Sequence, residues 1–292
     1  MRAFGRSGLA VSALGFGAMH INDERTSEAE AGALLNLVLD LGITLIDTAR
    51  SYGLSEERIG RHLSHRRQAF VLSTKLGYGV EGVPDWTYDC IVGGVERALR
   101  VMRCDWIDIA HLHSCPIEIL QRGEVIRALE DCKAAGKLRA IAYSGDNAEL
   151  SFAIGCRRFD SVQTSISVCD QVNLADRLPQ AEAQGLGVIA KRPIAGAVWR
   201  RAARPDDHAE GHYWDRWQAM GLGSLSNEDW TALALRFAAH APGVSSAIIG
   251  TAKPEHLRAN LAAVAQGPLP PELFERVRGA FLAQGSDWGG LI

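Results

Sequence analysis

No run in the sequence approaches the ~18 consecutive apolar residues of a membrane span. The N-terminus, MRAFGRSGLAVSALGFG, lacks the continuous apolar core of a secretory signal. Both absences predict a cytoplasmic chain with no membrane partner. A basic excess is missing too, since 31 Lys and Arg face 34 Asp and Glu for a formal net charge of −3. Broad nucleic-acid binding usually shows a strongly basic domain, so no nucleic-acid partner is expected. The six cysteines (Cys90, Cys104, Cys115, Cys132, Cys156 and Cys169) are scattered, with no C-x-x-C pair. Metal ligands usually come in close pairs and disulfide scaffolds are usually far shorter, so reduced thiols and no bound metal are expected. No G-x-G-x-x-G opens a helix after a strand. Gly15-Phe16-Gly17 comes nearest, but His20 stands where the third glycine belongs, which argues against a Rossmann dinucleotide site. Pro/Ser-rich linkers, low-complexity tracts and matching repeats are also absent, so one domain over 1–292 is the simplest reading.

What is present is a regular alternation. Apolar runs at Ala13–Met19, Thr44–Ala49, Val71–Lys75, Ile107–His113, Arg139–Gly145, Ser161–Ser167, Gly187–Pro193 and Ala247–Gly250 read as strands. Between them, Glu28–Leu41 places Ala31, Leu34, Leu35 and Val38 at the i, i+3, i+4, i+7 spacing of a buried helical stripe. Thr87–Met102, Val125–Ala135 and Trp230–Ala241 repeat that pattern. Strand–helix alternation implies parallel strands, because each helix supplies the crossover that parallel pairing needs. Eight repeats suit a closed (β/α)8 barrel better than an open sheet, and about 250 residues is its usual size. Met1–Ser12, with Gly5 and Gly8 about a short turn, reads as a β-hairpin ahead of the barrel. Ala195–Ser226 is the exception, a long stretch with little regular pattern that holds Trp199, Tyr213, Trp214 and Trp217. Such a segment predicts either a lid over the barrel mouth or a surface insertion.

In this fold the chemistry sits at the C-terminal ends of the strands. Those ends carry Asp47, Tyr52 in the following loop, Lys75, His113, Ser144, Gln163, Lys191 with Arg192, and Gly250–Thr251. Caps and turn residues alone would not readily supply a lysine ending VLSTK. A carbonyl reductase needs a proton donor for the oxygen that becomes an alkoxide as hydride arrives. A phenol can donate at neutral pH, a nearby ammonium makes it a better acid, and a carboxylate holds that ammonium in place. An imidazole can orient the substrate oxygen or relay a proton. Tyr52, Lys75, Asp47 and His113 are residues of those types at consecutive strand ends. Alternation along the fourth strand puts His111 on the face of His113, where it is expected as a packed, hydrogen-bonded histidine.

These segments also carry a resemblance. LGITLIDTARSYGLSEERIGRHL resembles the aldo-keto reductase signature around its catalytic Asp and Tyr, STKLG its lysine segment, and DWIDIAHLHS its histidine strand. GKLRAIAYSGDN resembles the nicotinamide-binding strand and IIGTAKPEHLRANL the cofactor-phosphate and adenine segment. The resemblance implies Tyr52 as general acid–base, Lys75 and Asp47 as its tuning pair, and His113 as orienter. It implies Ser144 and Gln163 on the nicotinamide carboxamide, with Gly250, Thr251, Lys253, His256 and Asn260 at the adenosine end. Departures stand beside these matches. Gly145 follows Ser144 where the family usually has Asn, and Asn147 either moves into that role or caps the next helix. Lys191 stands where many members stack a tyrosine on the nicotinamide, bringing two cations, Lys191 and Arg192, towards the cofactor. Ala259 replaces a common acidic residue, and Ile166-Ser167 a common Tyr-Asn.

Within the resemblance, Lys253, His256 and Arg258 favour NADP(H) as cofactor, because a 2′-phosphate needs cations near a helix N-terminus. The substrate is expected to be a small carbonyl or alcohol such as an aldehyde, ketone or sugar lactol. Its pocket is expected to be lined by Met19, His20, the loop Tyr78–Trp86, Cys115, Ala195–Ser226 and Trp288. Two other readings remain open: a barrel isomerase or aldolase with Lys75 as Schiff-base lysine, and a cofactor-sensing subunit without turnover. Oligomeric state is not legible.

Overall fold

A computed structural model describes every residue except 225, 227, 228, 286 and 292. A short antiparallel hairpin of β1 (Arg2–Ala3) and β2 (Ala10–Val11) comes first. Eight parallel strands follow: β3 (Leu14–Gly17), β4 (Leu45–Asp47), β5 (Val71–Leu76), β6 (Ile107–His113), β7 (Leu138–Ser144), β8 (Ser161–Ser165), β9 (Gly187–Lys191) and β10 (Ser246–Ile249). They close into a barrel in chain order, with β10 pairing both β9 and β3. The eight runs picked out by composition are therefore all barrel strands, with ends displaced by no more than a few residues.

Helices cover the outside of the barrel. In chain order they are α1 (Glu28–Asp40), α2 (Ser55–Leu63), α3 (Tyr88–Met102), α4 (Ile117–Arg122), α5 (Glu124–Ala134), α6 (Asn147–Gly155) and α7 (Arg177–Ala183). Then come α8 (His208–Met220), α9 (Trp230–Ala239), α10 (Pro254–Ala265) and α11 (Pro271–Gln284). Caps match the sequence chemistry. Ser27 and Glu30 form a reciprocal capping box at α1, and Thr87 caps α3, satisfying amides that have no partner within their helix. No described helix is long and apolar enough to cross a membrane.

The barrel interior is sorted along its axis. Strand residues alternate inward and outward, and the inward positions begin apolar: Leu45, Val71, Ile109, Ala140, Ile189 and Ile248 pack with Phe4 and Val11 of the hairpin. The hairpin thus plugs the N-terminal end. Further along β4 to β8 the inward residues turn polar, with Asp47, Ser73, Lys75, His111, Ser144 and Gln163 all buried. Pairing in register sets Asp47 beside Ser73, Lys75 beside His111, and His113 between Lys75's strand and Ser144. A larger apolar cluster fills the layer between barrel and helices.

The 195–226 segment departs from the irregular loop expected of it. Its centre is the thirteen-residue helix α8, capped by Asp207, with Tyr213 and Trp217 buried. Trp217 packs edge-on to Trp230 at 4.8 Å and beside Trp199 at 5.4 Å. Charged residues spaced between the aromatics hid the helical stripe. Residue 225 lies outside the described residues.

Helix α2, which follows the Tyr52 turn, is pressed against the end of α3. A Cβ on Gly60 would come 2.2 Å from the Val101 carbonyl oxygen, a backbone atom that cannot swing away. Gly60→Ala should therefore lower the free energy of unfolding by about 1–3 kcal/mol in urea titration, despite alanine's better helix propensity. Unchanged stability would mean that the two helices separate without cost.

Candidate active site

The polar layer centres on Asp47, 1% exposed at the end of β4. Its Oδ2 accepts from Lys75 Nζ at 2.6 Å, and its Oδ1 accepts from Ser73 Oγ at 2.8 Å and Gln163 Nε2 at 3.0 Å. Lys75 also donates to the Thr48 carbonyl at 2.8 Å. Ser144 Oγ donates to Gln163 Oε1 at 2.9 Å, tying the expected carboxamide pair to the same carboxylate. Burial alone would lower the Lys75 pKa, but the Asp47 charge, the neighbouring Tyr52 and the hydrogen bonds outweigh it and hold the ammonium above the ordinary lysine range.

Tyr52 reaches this layer from a tight turn in which its N–H donates to Ala49 O at 3.0 Å and Ser55 N–H donates to Tyr52 O at 2.8 Å. Gly53 makes the turn possible. Its φ is +45°, and a Cβ there would sit 2.2 Å from Asn22 O. The Lys75 ammonium stands 4.9 Å from the Tyr52 ring centroid, and the His113 ring meets that of Tyr52 edge-on at 6.2 Å. Asp47, Tyr52, Lys75 and His113 are thus one cluster at the barrel mouth. Burial, reinforced by the charges of Lys75 and Lys191, brings the His113 pKa down to about 3. His111 sits below it, fully buried, its Nε2 3.0 Å from Ser73 Oγ. Burial brings its pKa down to about 4.

The second group lies apart from the cluster. Gly250, Thr251, His256 and Asn260 line a cleft of about 180 Å³ together with Ile194, Arg200 and Asp229. The cleft runs along the start of α10, which begins at Pro254 and has no side-chain cap, the kind of helix end that suits an anion. Lys253 precedes that helix and is exposed, with its N–H on Thr251 Oγ1 at 3.1 Å.

Several expected positions differ. Lys191 is paired with buried Asp146 at 3.1 Å, so only a compensated charge reaches the mouth there. Arg192 adopts φ +55° and donates to Leu291 O at 2.9 Å, which ties its guanidinium to the C-terminal segment. Asn147 neither caps α6 nor stays free: it exchanges two hydrogen bonds with Gly290, at 2.8 and 3.0 Å. Cys115 is fully buried in the outer core, its thiol pushed up to about 12 by burial. Trp288 borders a separate cavity with Phe281 and Leu282. Sequence reasoning passed over Ser73, which the two-residue alternation from Lys75 would have found. It also passed over Asp146, Arg200 and the hydroxyl of Tyr78, which no pattern marks.

Comparison with known proteins agrees with this architecture. The family model for the aldo/keto reductase family matches residues 13–281. The Arabidopsis thaliana protein "L-galactose dehydrogenase" is 27% identical over 282 residues, covering 91% of this chain and 88% of that one. A rice protein described as "Probable voltage-gated potassium channel subunit beta" is 27% identical over 314 residues, covering 94% of each. The structure of an aldo-keto reductase from Bacillus halodurans in its holo form superposes with a TM-score of 0.84 at 27% identity, covering 96% of this chain and 95% of that one.

The depressed histidines generate a pH test. Below pH 6.5 the unfolded chain takes up protons that buried His111 and His113 refuse, so stability is full above about 6.5 and is lost as pH falls towards their folded values of about 4 and 3. Replacing His111 by Gln should flatten the fall of the urea midpoint between pH 6.5 and 4. An unaltered slope would mean that His111 carries its proton in the folded protein.

Proposed function

The chain belongs to the aldo/keto reductase family, and from that premise we propose an NADP(H)-dependent oxidoreductase that uses Tyr52 as general acid–base on a carbonyl or alcohol substrate. The observation that carries this reading is the buried Lys75–Asp47 pair with its ammonium against the Tyr52 ring. The nicotinamide, when bound, supplies or receives the hydride. Tyr52 gives a proton to the carbonyl oxygen in reduction, or takes one from the hydroxyl in oxidation. Lys75, held cationic, favours the phenolate that remains. Asp47 keeps that ammonium from drifting and balances its charge, while neutral His113 orients the oxygen. Ser144 and Gln163 are placed to meet a carboxamide, and the cleft at Gly250, Thr251, His256 and Asn260 suits the phosphate-bearing end of the cofactor.

The same pair speaks against the Schiff-base alternative. An imine-forming lysine must shed its proton and reach the substrate, whereas Lys75 is 2% exposed, doubly hydrogen-bonded and held above the usual lysine pKa. A sensor without turnover would have no need of this arrangement.

Tyr52→Phe removes one oxygen and keeps the ring, so folding and NADPH affinity should survive while turnover drops by about 10²–10⁴-fold, the usual worth of a positioned acid. Near-full turnover on the best substrate of an aldehyde, ketone and sugar panel would sink the mechanism. NADPH should bind at least about tenfold tighter than NADH in a tryptophan-fluorescence titration, and Lys253→Ala with Arg258→Ala should narrow the gap. Equal affinities in the unmutated protein would overturn the cofactor assignment.

A further inference from the structure

Tyr78, in the loop after β5, carries a second phenol into the mouth of the barrel. Its hydroxyl is hydrogen-bonded to His113 Nδ1 and lies 3.1 Å from Ser51 Oγ. Its ring stacks on the His113 ring at 5.8 Å with an interplanar angle of 30°, and Trp86 meets it edge-on at 5.9 Å. The loop that presents it is closed at its base, where Trp86 N–H donates to Gly77 O at 2.8 Å, and pinned at Gly79, whose N–H donates to Asp85 Oδ1 at 3.0 Å. Gly77 has φ +137°, and a Cβ there would overlap the Trp86 ring at 2.1 Å, so this closure requires glycine. Tyr78 is therefore held by covalent geometry, stacking and two polar partners at once.

One phenolic hydrogen serves two neighbours. A phenol is a far stronger acid than a serine hydroxyl, and an imidazole nitrogen is a far stronger base than a hydroxyl oxygen. Ser51 Oγ stands as an acceptor for that hydrogen at 3.1 Å, but the imidazole is the stronger base, so the favoured arrangement sends the Tyr78 hydrogen to His113 Nδ1. Burial also raises the Tyr78 pKa, so the hydroxyl keeps its hydrogen at neutral pH. His113 is neutral there for the reasons given above and carries a single N–H. With Nδ1 accepting, that hydrogen belongs to Nε2, for which no hydrogen-bond partner is found among the described residues.

We propose that Tyr78 is a positioning residue that fixes His113 as the Nε2–H tautomer, so that the imidazole faces the substrate oxygen as a hydrogen-bond donor. The inference rests on the oxidoreductase reading for its consequence but not for its geometry. A carbonyl oxygen has only lone pairs to offer. The Nε2–H tautomer lets it accept from His113 and Tyr52 together, whereas the opposite tautomer would set a nitrogen lone pair against it. In the oxidative direction the alcohol oxygen still accepts from Nε2–H while its own hydrogen goes to Tyr52, so one tautomer serves both directions.

The test uses the full chain labelled with ¹⁵N at histidine, with His113→Gln to assign the resonance. At pH 7 the unmutated protein should show His113 protonated at Nε2 and bare at Nδ1. Tyr78→Phe, which keeps the stacking ring, should lose that preference and lower kcat/KM for a carbonyl substrate about tenfold, the worth of one hydrogen bond to the reacting oxygen. NADPH affinity measured by fluorescence should not change, which separates this effect from a general disturbance of the mouth. A proton found on Nδ1 in the unmutated protein would overturn the proposal, as would a Tyr78→Phe variant with the same tautomer and the same kcat/KM. The Nε2–H tautomer in a protein that turns over no carbonyl with either nicotinamide would leave the Tyr78 assignment standing and remove the oxidoreductase reading.

Discussion

A carboxylate at the centre of a barrel has to be paid for by the groups around it, and Asp47 organises the mouth for that reason. An ion pair withdrawn from water gains little net stability unless its remaining lone pairs and protons are all engaged. Asp47 meets that condition through Lys75, Ser73 and Gln163, and Lys75 meets it through Asp47 and Thr48 O. These partners come from β5, from β8 and from the end of β4 itself. The requirement for full satisfaction therefore locks β4, β5 and β8 into one relative height, and Ser144 extends the network to β7 through Gln163. Removing one partner would strand a buried charge, so the geometry around Tyr52 is stiff without any contact to a ligand.

The other half of the barrel is mostly apolar. Below Asp47 the inward residues are largely aliphatic, with Ser161 and Ser246 as buried exceptions, and Phe4 and Val11 of the hairpin pack against the aliphatic set. The same two-residue alternation that turns Leu45, Val71 and Ile109 inwards turns Asp47, Ser73 and His111 inwards one step later. Fold and site are in this sense one pattern read at two heights. His111 occupies the boundary, buried and neutral, touching Ser73 of the polar layer.

Legibility followed the same physics. The eight strands stood out because each is short, apolar and bounded by turn residues, and Asp47, Lys75 and His113 stood out because ionisable groups ending apolar runs are hard to explain by packing. Their convergence with Tyr52 depended on barrel closure, which no local spacing encodes. The helix at 208–220 was missed because His208, Glu210, His212, Asp215 and Arg216 interrupt its aromatic stripe. The partners of Arg192 and Asn147 were not legible for a different reason. Their side chains are claimed by Leu291 and Gly290, about a hundred or more positions away in the chain, and a partner at that separation leaves no trace in the neighbouring residues.

The departure at Lys191 has its own logic. A lone cation at the end of β9 would impose a positive field at the barrel mouth, but Asp146 lies 3.1 Å from Lys191 and is fully buried. Burial alone would raise the Asp146 pKa. The Lys191 charge and hydrogen bonds from Thr164 and Ser165 outweigh it and keep the group below the usual carboxylate value. The cost appears at the next carboxylate along. Asp170 has Arg216 only at 3.8 Å, so burial and then the Asp146 charge push it up to about 7. Two acids share this buried corner, and the one nearer a cation keeps its charge. The other is brought to about half protonation near pH 7 and accepts the Leu291 N–H at 3.1 Å. The mouth therefore receives a compensated Lys191 on one side and the Tyr52–Lys75–Asp47 cluster on the other.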